Sequence, residues 1–187
     1  MPRFRNIDDA QLLRAMAHPL RIRLIGTLVK DGPATASELA RRLGESSGAT
    51  SYHLRILAKY GFIEDDPGRN RGRERWWRAA DEGLEWSLDT DDRGLLEANR
   101  AWGRQLVGEY QRWLQRWQDE MPDWDRSWRA ASTGTDRFYE LTPDELRALV
   151  DEVTAVLDRY WDRRKRGDDT ERVTVLFHAF PERRNTA

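Results

Sequence analysis

The chain contains no cysteine. That excludes disulfides and thiolate metal sites. Histidine is scarce, with three in 187 residues, and His18, His53 and His178 are too dispersed to give metal-ligand spacing. No window approaches the ~18 uninterrupted apolar residues of a membrane span. The start, "MPRFRNIDDAQLL", lacks the apolar run of a signal peptide. There is no glycine-rich phosphate loop, no nucleophile elbow and no Ser-His-Asp set. These absences predict a soluble cytoplasmic protein that is not an enzyme, carries no metal or other cofactor and does not enter a membrane.

What is present is aromatic and charged. Nine tryptophans and five phenylalanines within a hydrophobic content of 39% can fill a core, while 35% charged residues imply small domains with much surface. The formal net charge of −1 hides an asymmetry. Residues 1–80 hold 15 Lys/Arg against 9 Asp/Glu, and residues 81–187 hold 17 against 24. A basic half followed by an acidic half suggests two parts, one of them facing a polyanion. No internal repeat is evident.

Along the basic half, "IDDAQLLRAMAH" has the spacing of a short helix, with Ile7, Leu12, Leu13 and Met16 on one side. Pro19 opens a second helix, where its missing N–H costs nothing, and Gly32-Pro33 closes it. Thr35 and Glu38 form a capping box that starts a third helix near Ala36, ended at Gly44. A fourth helix runs from about Ser47 to Tyr60. It carries Leu54 and Leu57 on one face and Ser51, Tyr52 and Arg55 mostly on the other. "GFIEDD" and "RERWWRA" read as two strands around the turn "PGRNRGR". Trp76 and Trp77 are adjacent on the second strand and so point to opposite faces. A helix fits the B-DNA major groove, about 12 Å wide, and an arginine-bearing hairpin tip suits phosphate or the minor groove.

"MAHPLRIRLIGTL", "SELARRLGESSGATSYHLRILAKYGFIE" and "GRERWWRA" together resemble the winged helix-turn-helix domain of ArsR-type bacterial repressors. The resemblance covers roughly residues 10–80. It implies a homodimer that binds a palindromic operator in double-stranded DNA and releases it on binding an effector. Ser47, Gly48, Ser51, Tyr52 and Arg55 match the exposed side of that family's recognition helix, and Arg69, Arg71 and Arg73 match its wing tip. Arg55 is the candidate for a bidentate guanine contact. Tyr52 suits a phosphate or a thymine methyl, Ser47 and Ser51 suit phosphate, and the wing arginines hold backbone. His53 reads as a half-buried packing residue and His18 as a junction residue. The thiol and imidazole ligands of the metal-sensing members are missing, so metal sensing at those sites is not expected. About 100 residues follow the wing, where minimal members have little more than one helix.

In those residues "DEGLEWSLDTDDRG" reads as an acidic loop. A long helix follows, on which Trp102, Leu106, Tyr110, Trp113 and Trp117 recur at helical spacing. They read as core and dimer interface, with a pocket for an aromatic or cationic molecule as the alternative. "DRFYEL" reads as a strand. A helix follows that is capped by Thr142, Pro143 and Glu145, and "ERVTVLFHAF" reads as a last strand. The expected fold is mainly α with small β elements: a winged helix-turn-helix domain over 1–80 and an α+β extension over 81–187 for dimerisation and any effector. The expected function is a dimeric transcriptional regulator, switched by a small organic ligand or by none. The alternative is a protein-interaction module whose C-terminal region recruits a partner.

Overall fold

The computed structural model describes residues 4–69, 74–81, 83–86, 89–162 and 170–183. The chain divides into two compact units, the first ending at Glu120 and the second beginning at Met121. The expected division after residue 80 therefore falls inside the first unit. Its last helix, α5 (Arg93–Glu120), lies against α1 (Ala10–Met16) and α2 (Pro19–Asp31). Trp102 supplies the reason, because it is only 2% exposed and joins the same apolar core as Leu13, Met16 and Leu24. Burial of an indole of this size is a large apolar contribution, and it holds α5 to the first unit.

The helices begin and end where local chemistry directs. The Asp9 carboxylate accepts from the Gln11 and Leu12 amides at 2.6 and 3.1 Å and starts α1. Pro19 opens α2, and Gly32 at φ +85° ends it. In α3 (Ala36–Leu43) the Glu38 amide donates to the Thr35 hydroxyl at 3.2 Å. The Thr35 amide donates back to the Glu38 carboxylate at 3.0 Å, which completes the capping box. Gly44 closes α3 in the left-handed conformation. The Ser46 hydroxyl accepts from the Ala49 amide at 3.1 Å at the start of α4 (Ser47–Lys59).

Two small sheets complete the unit. Strands β2 (Ala34–Thr35), β3 (Ile63–Asp65) and β4 (Trp76–Ala79) form an antiparallel sheet in the order β2-β4-β3, with Ala34 opposite Trp77 and Ile63 opposite Ala79. Trp77 turns into the core, while Trp76 is only half-buried. β1 (Phe4–Ile7) pairs in parallel with β5 (Gly83–Trp86), Ile7 opposite Trp86. This sheet corrects two readings. Ile7 precedes the first helix instead of belonging to it, and "GLEW" is a strand within a segment expected to be loop. Neither four-residue stretch has a strong β pattern of its own. Each becomes a strand because the other offers it a hydrogen-bonding edge.

The second unit contains α6 (Arg126–Ala131) and α7 (Pro143–Asp162). The expected cap of α7 is formed: the Thr142 amide donates to Glu145 at 2.8 Å, and the Glu145 amide donates to the Thr142 hydroxyl at 3.3 Å. The strands expected at "DRFYEL" and "ERVTVLFHAF" are not formed, and the described residues from 121 onward are helical and irregular. A strand needs a partner edge, and among the described residues neither stretch pairs with one. Their apolar side chains stay outside, Phe138 84% and Val173 67% exposed, and no described residue from 121 onward is buried.

The two units should respond differently to substitution. Trp102→Ala should lower the unfolding free energy by ~3–5 kcal/mol. Val173→Ser should change it by no more than about 0.5 kcal/mol. Denaturant unfolding of each variant checks this, and comparable losses at both positions would contradict the burial pattern.

Candidate nucleic-acid interface

Helix α4 has two faces because its inner face is fully committed. Thr50, Leu54 and Leu57 are completely buried and His53 nearly so. At about 100° per residue, that fixes what points out. Ser47, Gly48, Tyr52 and Arg55 are exposed, and Ser51 is half-buried on the same side. Tyr52 is 56% exposed, high for an aromatic side chain with no solvent-facing purpose of its own. The Arg55 Nε donates to the Ser51 carbonyl at 3.2 Å, which leans the side chain back along its helix; among the described residues its two terminal nitrogens have no partner. A guanidinium so held is restrained at the base and free at the tip.

The turn before α4 is pinned from α2. Arg23 pairs with Glu45 at 3.0 Å and donates to the Leu43 carbonyl at 2.7 Å. One side chain thus ties together the end of α3, the turn and α2. Sequence reading passed over Arg23, because nothing in "PLRIRLIG" marks that arginine as different from Arg21.

Beside α4, the start of α3 and the wing strand β4 enclose an open cleft of about 320 Å³. Ser51 and Arg55 reach it from α4, Ser37 from α3, and Glu74 and Arg75 from the wing. The Ser37 hydroxyl donates to Glu74 at 3.1 Å. Arg75 lies 4.0 Å over the Trp77 ring, with its Nε 3.4 Å from Asp65. Ser37, Glu74 and Arg75 are the members of this site that sequence reading did not select. The alternation of Arg75 with the buried Trp77 was the available signal for Arg75, since side chains two apart share a strand face.

Of the wing residues, Arg69 is described. It sits 5.6 Å from the Trp76 ring centroid, with its Nε 3.9 Å from Asp66, beside the turn-side end of the β3–β4 ladder. Arg71 and Arg73 lie outside the described residues. The aromatic series on α5 is not one cluster. Trp102 is core, and Leu106 packs on that core. Tyr110 and Trp113 are half-buried with ring centroids 5.4 Å apart, Lys30 sits 3.5 Å over Trp113, and Trp117 is half-buried.

Where α4 meets α2, the rings of His18 and His53 lie 4.2 Å apart, and Tyr52 contacts the edge of His53. His18 Nδ1 accepts from the Leu20 amide at 3.1 Å, capping α2, so its ring proton must sit on Nε2. Burial lowers both histidine pKa values below the ordinary range. Arg21 lowers both further, His18 also acts on His53, and Glu45 opposes the shift.

Residues 16–66 match the helix-turn-helix domain family. With the β3–β4 hairpin attached, the first unit has the winged helix-turn-helix fold. A 62-residue stretch is 37% identical to the HTH-type transcriptional regulator YgaV of Escherichia coli (strain K12), covering 33% of this chain and 63% of that protein. A 41-residue stretch is 54% identical to the LexA repressor of Shewanella frigidimarina (strain NCIMB 400), covering 21% of this chain. The chain spans about a fifth of the length of that repressor. Among solved structures, the transcriptional repressor BigR from Xylella fastidiosa superposes with a TM-score of 0.34 at 25% identity, over 54% of this chain and 85% of that one.

The histidine pair gives the unit a pH dependence with a definite sign. The folded pKa values lie below the unfolded reference of about 6.5, so the unfolded chain binds protons more readily. The pair's contribution is complete above that reference and is lost as pH falls from it through the folded values. Unfolding free energy should therefore drop on acidification across this window, and His53→Gln should flatten the drop. A profile equally steep in the variant would place its cause elsewhere.

Proposed function

We propose that the protein is a sequence-specific DNA-binding transcriptional regulator of the ArsR type. The observation that carries this reading is the outward row on α4, with a base-anchored, tip-free Arg55 at its centre and Arg75 of the wing beside it. Such a helix can enter a major groove, where the guanidinium fork meets guanine O6 and N7. Ser47 and Ser51 would donate to phosphate, Tyr52 would reach phosphate or a thymine methyl, and Arg69, Arg71 and Arg73 would hold backbone. The relatives named above are themselves called transcriptional regulators and repressors. Absence of cysteine excludes a thiolate metal sensor. The protein would act in the cytoplasm and catalyse no reaction.

In this reading it works as a homodimer on an inverted repeat, with half-sites about one DNA turn (~34–36 Å) apart. Supporting this, α5 leaves Val107 and Leu114 exposed seven residues apart, an apolar stripe suited to a second copy. Regulation would come from a small organic effector or from none.

A second reading has its own observation. The region from Met121 onward exposes Phe138, Tyr139, Tyr160, Val173, Val175 and Phe180, an unusually apolar surface. It would serve a protein-interaction module in which DNA binding is secondary.

Titration of labelled duplexes separates the two. An inverted-repeat duplex should bind with an affinity that falls steeply with salt, as phosphate contacts release counterions. Arg55→Ala should cost ~1–3 kcal/mol and relax preference at one base position. Equal binding of random duplexes at every salt concentration would remove the specific-regulator reading.

A further inference from the structure

A second cleft lies on the first unit between α1, α2 and the end of α4. Its volume is about 360 Å³, and Gln11, Arg14, Arg21, Ile56, Lys59 and Tyr60 line it. Three of these are cations, and among the described residues no carboxylate lines it. That is unusual for this chain. Arg23, Arg42, Arg69, Arg75 and Arg78 each stand within ion-pair distance of a carboxylate. Among the described residues, Arg14, Arg21 and Lys59 have no such partner.

Arg21 is the least compensated of the three. Its Nε is sealed from solvent with no acceptor. Its Nη2 donates to the Arg14 carbonyl at 3.3 Å, and among the described residues its Nη1 makes no hydrogen bond. Burial holds its guanidinium below the ordinary arginine value, with Tyr52 and Tyr60 acting the other way. A half-buried cation with an orphaned N–H, beside two more cations, is costly in isolation. The Arg14 Nη2 leans at 3.5 Å on the Gly94 carbonyl of α5, and the Lys59 Nζ lies 5.6 Å from the Tyr60 ring centroid. None of these contacts supplies negative charge.

We propose that this cleft is a binding site for an oxyanion, a carboxylate or phosphate group. Guanidinium forks bind such groups through two parallel bonds, and Lys59 adds a point charge. Ile56 and the Tyr60 ring give the site an apolar wall for the body of a small ligand, and the volume falls within the range of small-molecule sites. Ile56 and Lys59 belong to α4, the helix that carries Arg55, and Tyr60 caps it. An occupant would therefore tie the recognition helix to α1 and α2. The site itself does not depend on the DNA reading; only its consequence for regulation does. The same chemistry has two sources, a free small molecule or a phosphodiester of bound DNA.

Calorimetric titration of the full chain without DNA tests the site, using inorganic phosphate and benzoate, against chloride at matched ionic strength. Saturable uptake of at least one of the two oxyanions is expected. Arg21→Gln and Lys59→Gln should each weaken it about tenfold, the worth of a lost charge-assisted bond, while Arg147→Gln, at an exposed pair on α7, leaves it unchanged. Lys59 is exposed, so its variant tests the site even if Arg21→Gln disturbs folding. Heats no different from chloride, or equal affinity in all variants, would overturn the proposal. Repeating the titration with duplex bound identifies the source. Undiminished uptake points to a free ligand. Competition with the duplex, together with a salt slope reduced by about one in Arg21→Gln, points to a DNA phosphate. A chain that takes up oxyanion yet binds no duplex would retain this site and lose the function proposed above.

Discussion

Complete burial of the inner face of α4 is the constraint on which the rest depends. Leu54 and Leu57 expose nothing, and each such side chain is worth about 1.5–3 kcal/mol on leaving water. A helix anchored this way cannot rotate about its axis without exposing them. The outward positions of Ser47, Ser51, Tyr52 and Arg55 therefore follow from leucines on the opposite side. The half-exposed Arg23–Glu45 pair adds far less energy, since such pairs are worth about 0–1 kcal/mol. Its role is geometric: with the Leu43 carbonyl it sets where the turn meets α2.

The arginines of the first unit divide by whether they are paired. Arg75, Arg69 and Arg78 on or beside the hairpin each have a carboxylate nearby, which restrains them and offsets much of their charge. Among the described residues Arg14, Arg21 and Lys59 have none, and they line the second cleft. The histidine pair adjoins this second group, since Arg21 acts on both rings. Positive charge thus gathers at the α2–α4 junction.

The two units differ in kind. The first closes a core from α1 to α5 around Leu13, Leu24, Leu54, Trp77 and Trp102. The second leaves large apolar side chains in solvent and two irregular stretches that, among the described residues, pair with no strand. Amphipathic spacing in α7 is strong, yet spacing alone buries nothing until another surface meets it.

Local chemistry was legible in the residues themselves. The Thr35–Glu38 and Thr142–Glu145 boxes, Pro19 at a helix start and Gly44 at a helix end each act within a few residues, so sequence suffices to place them. The outward row of α4 was legible for the same reason, because helical period needs no distant partner. What sequence could not decide was any contact made across distance. The β1–β5 sheet joins residues some eighty positions apart, and Trp102 enters a core built by α1 and α2. Ser37 and Arg75 become neighbours of Arg55 only when α3 and the wing fold beside α4. The expected C-terminal strands stayed unformed because a β-competent stretch is completed by another edge, and among the described residues neither pairs with one.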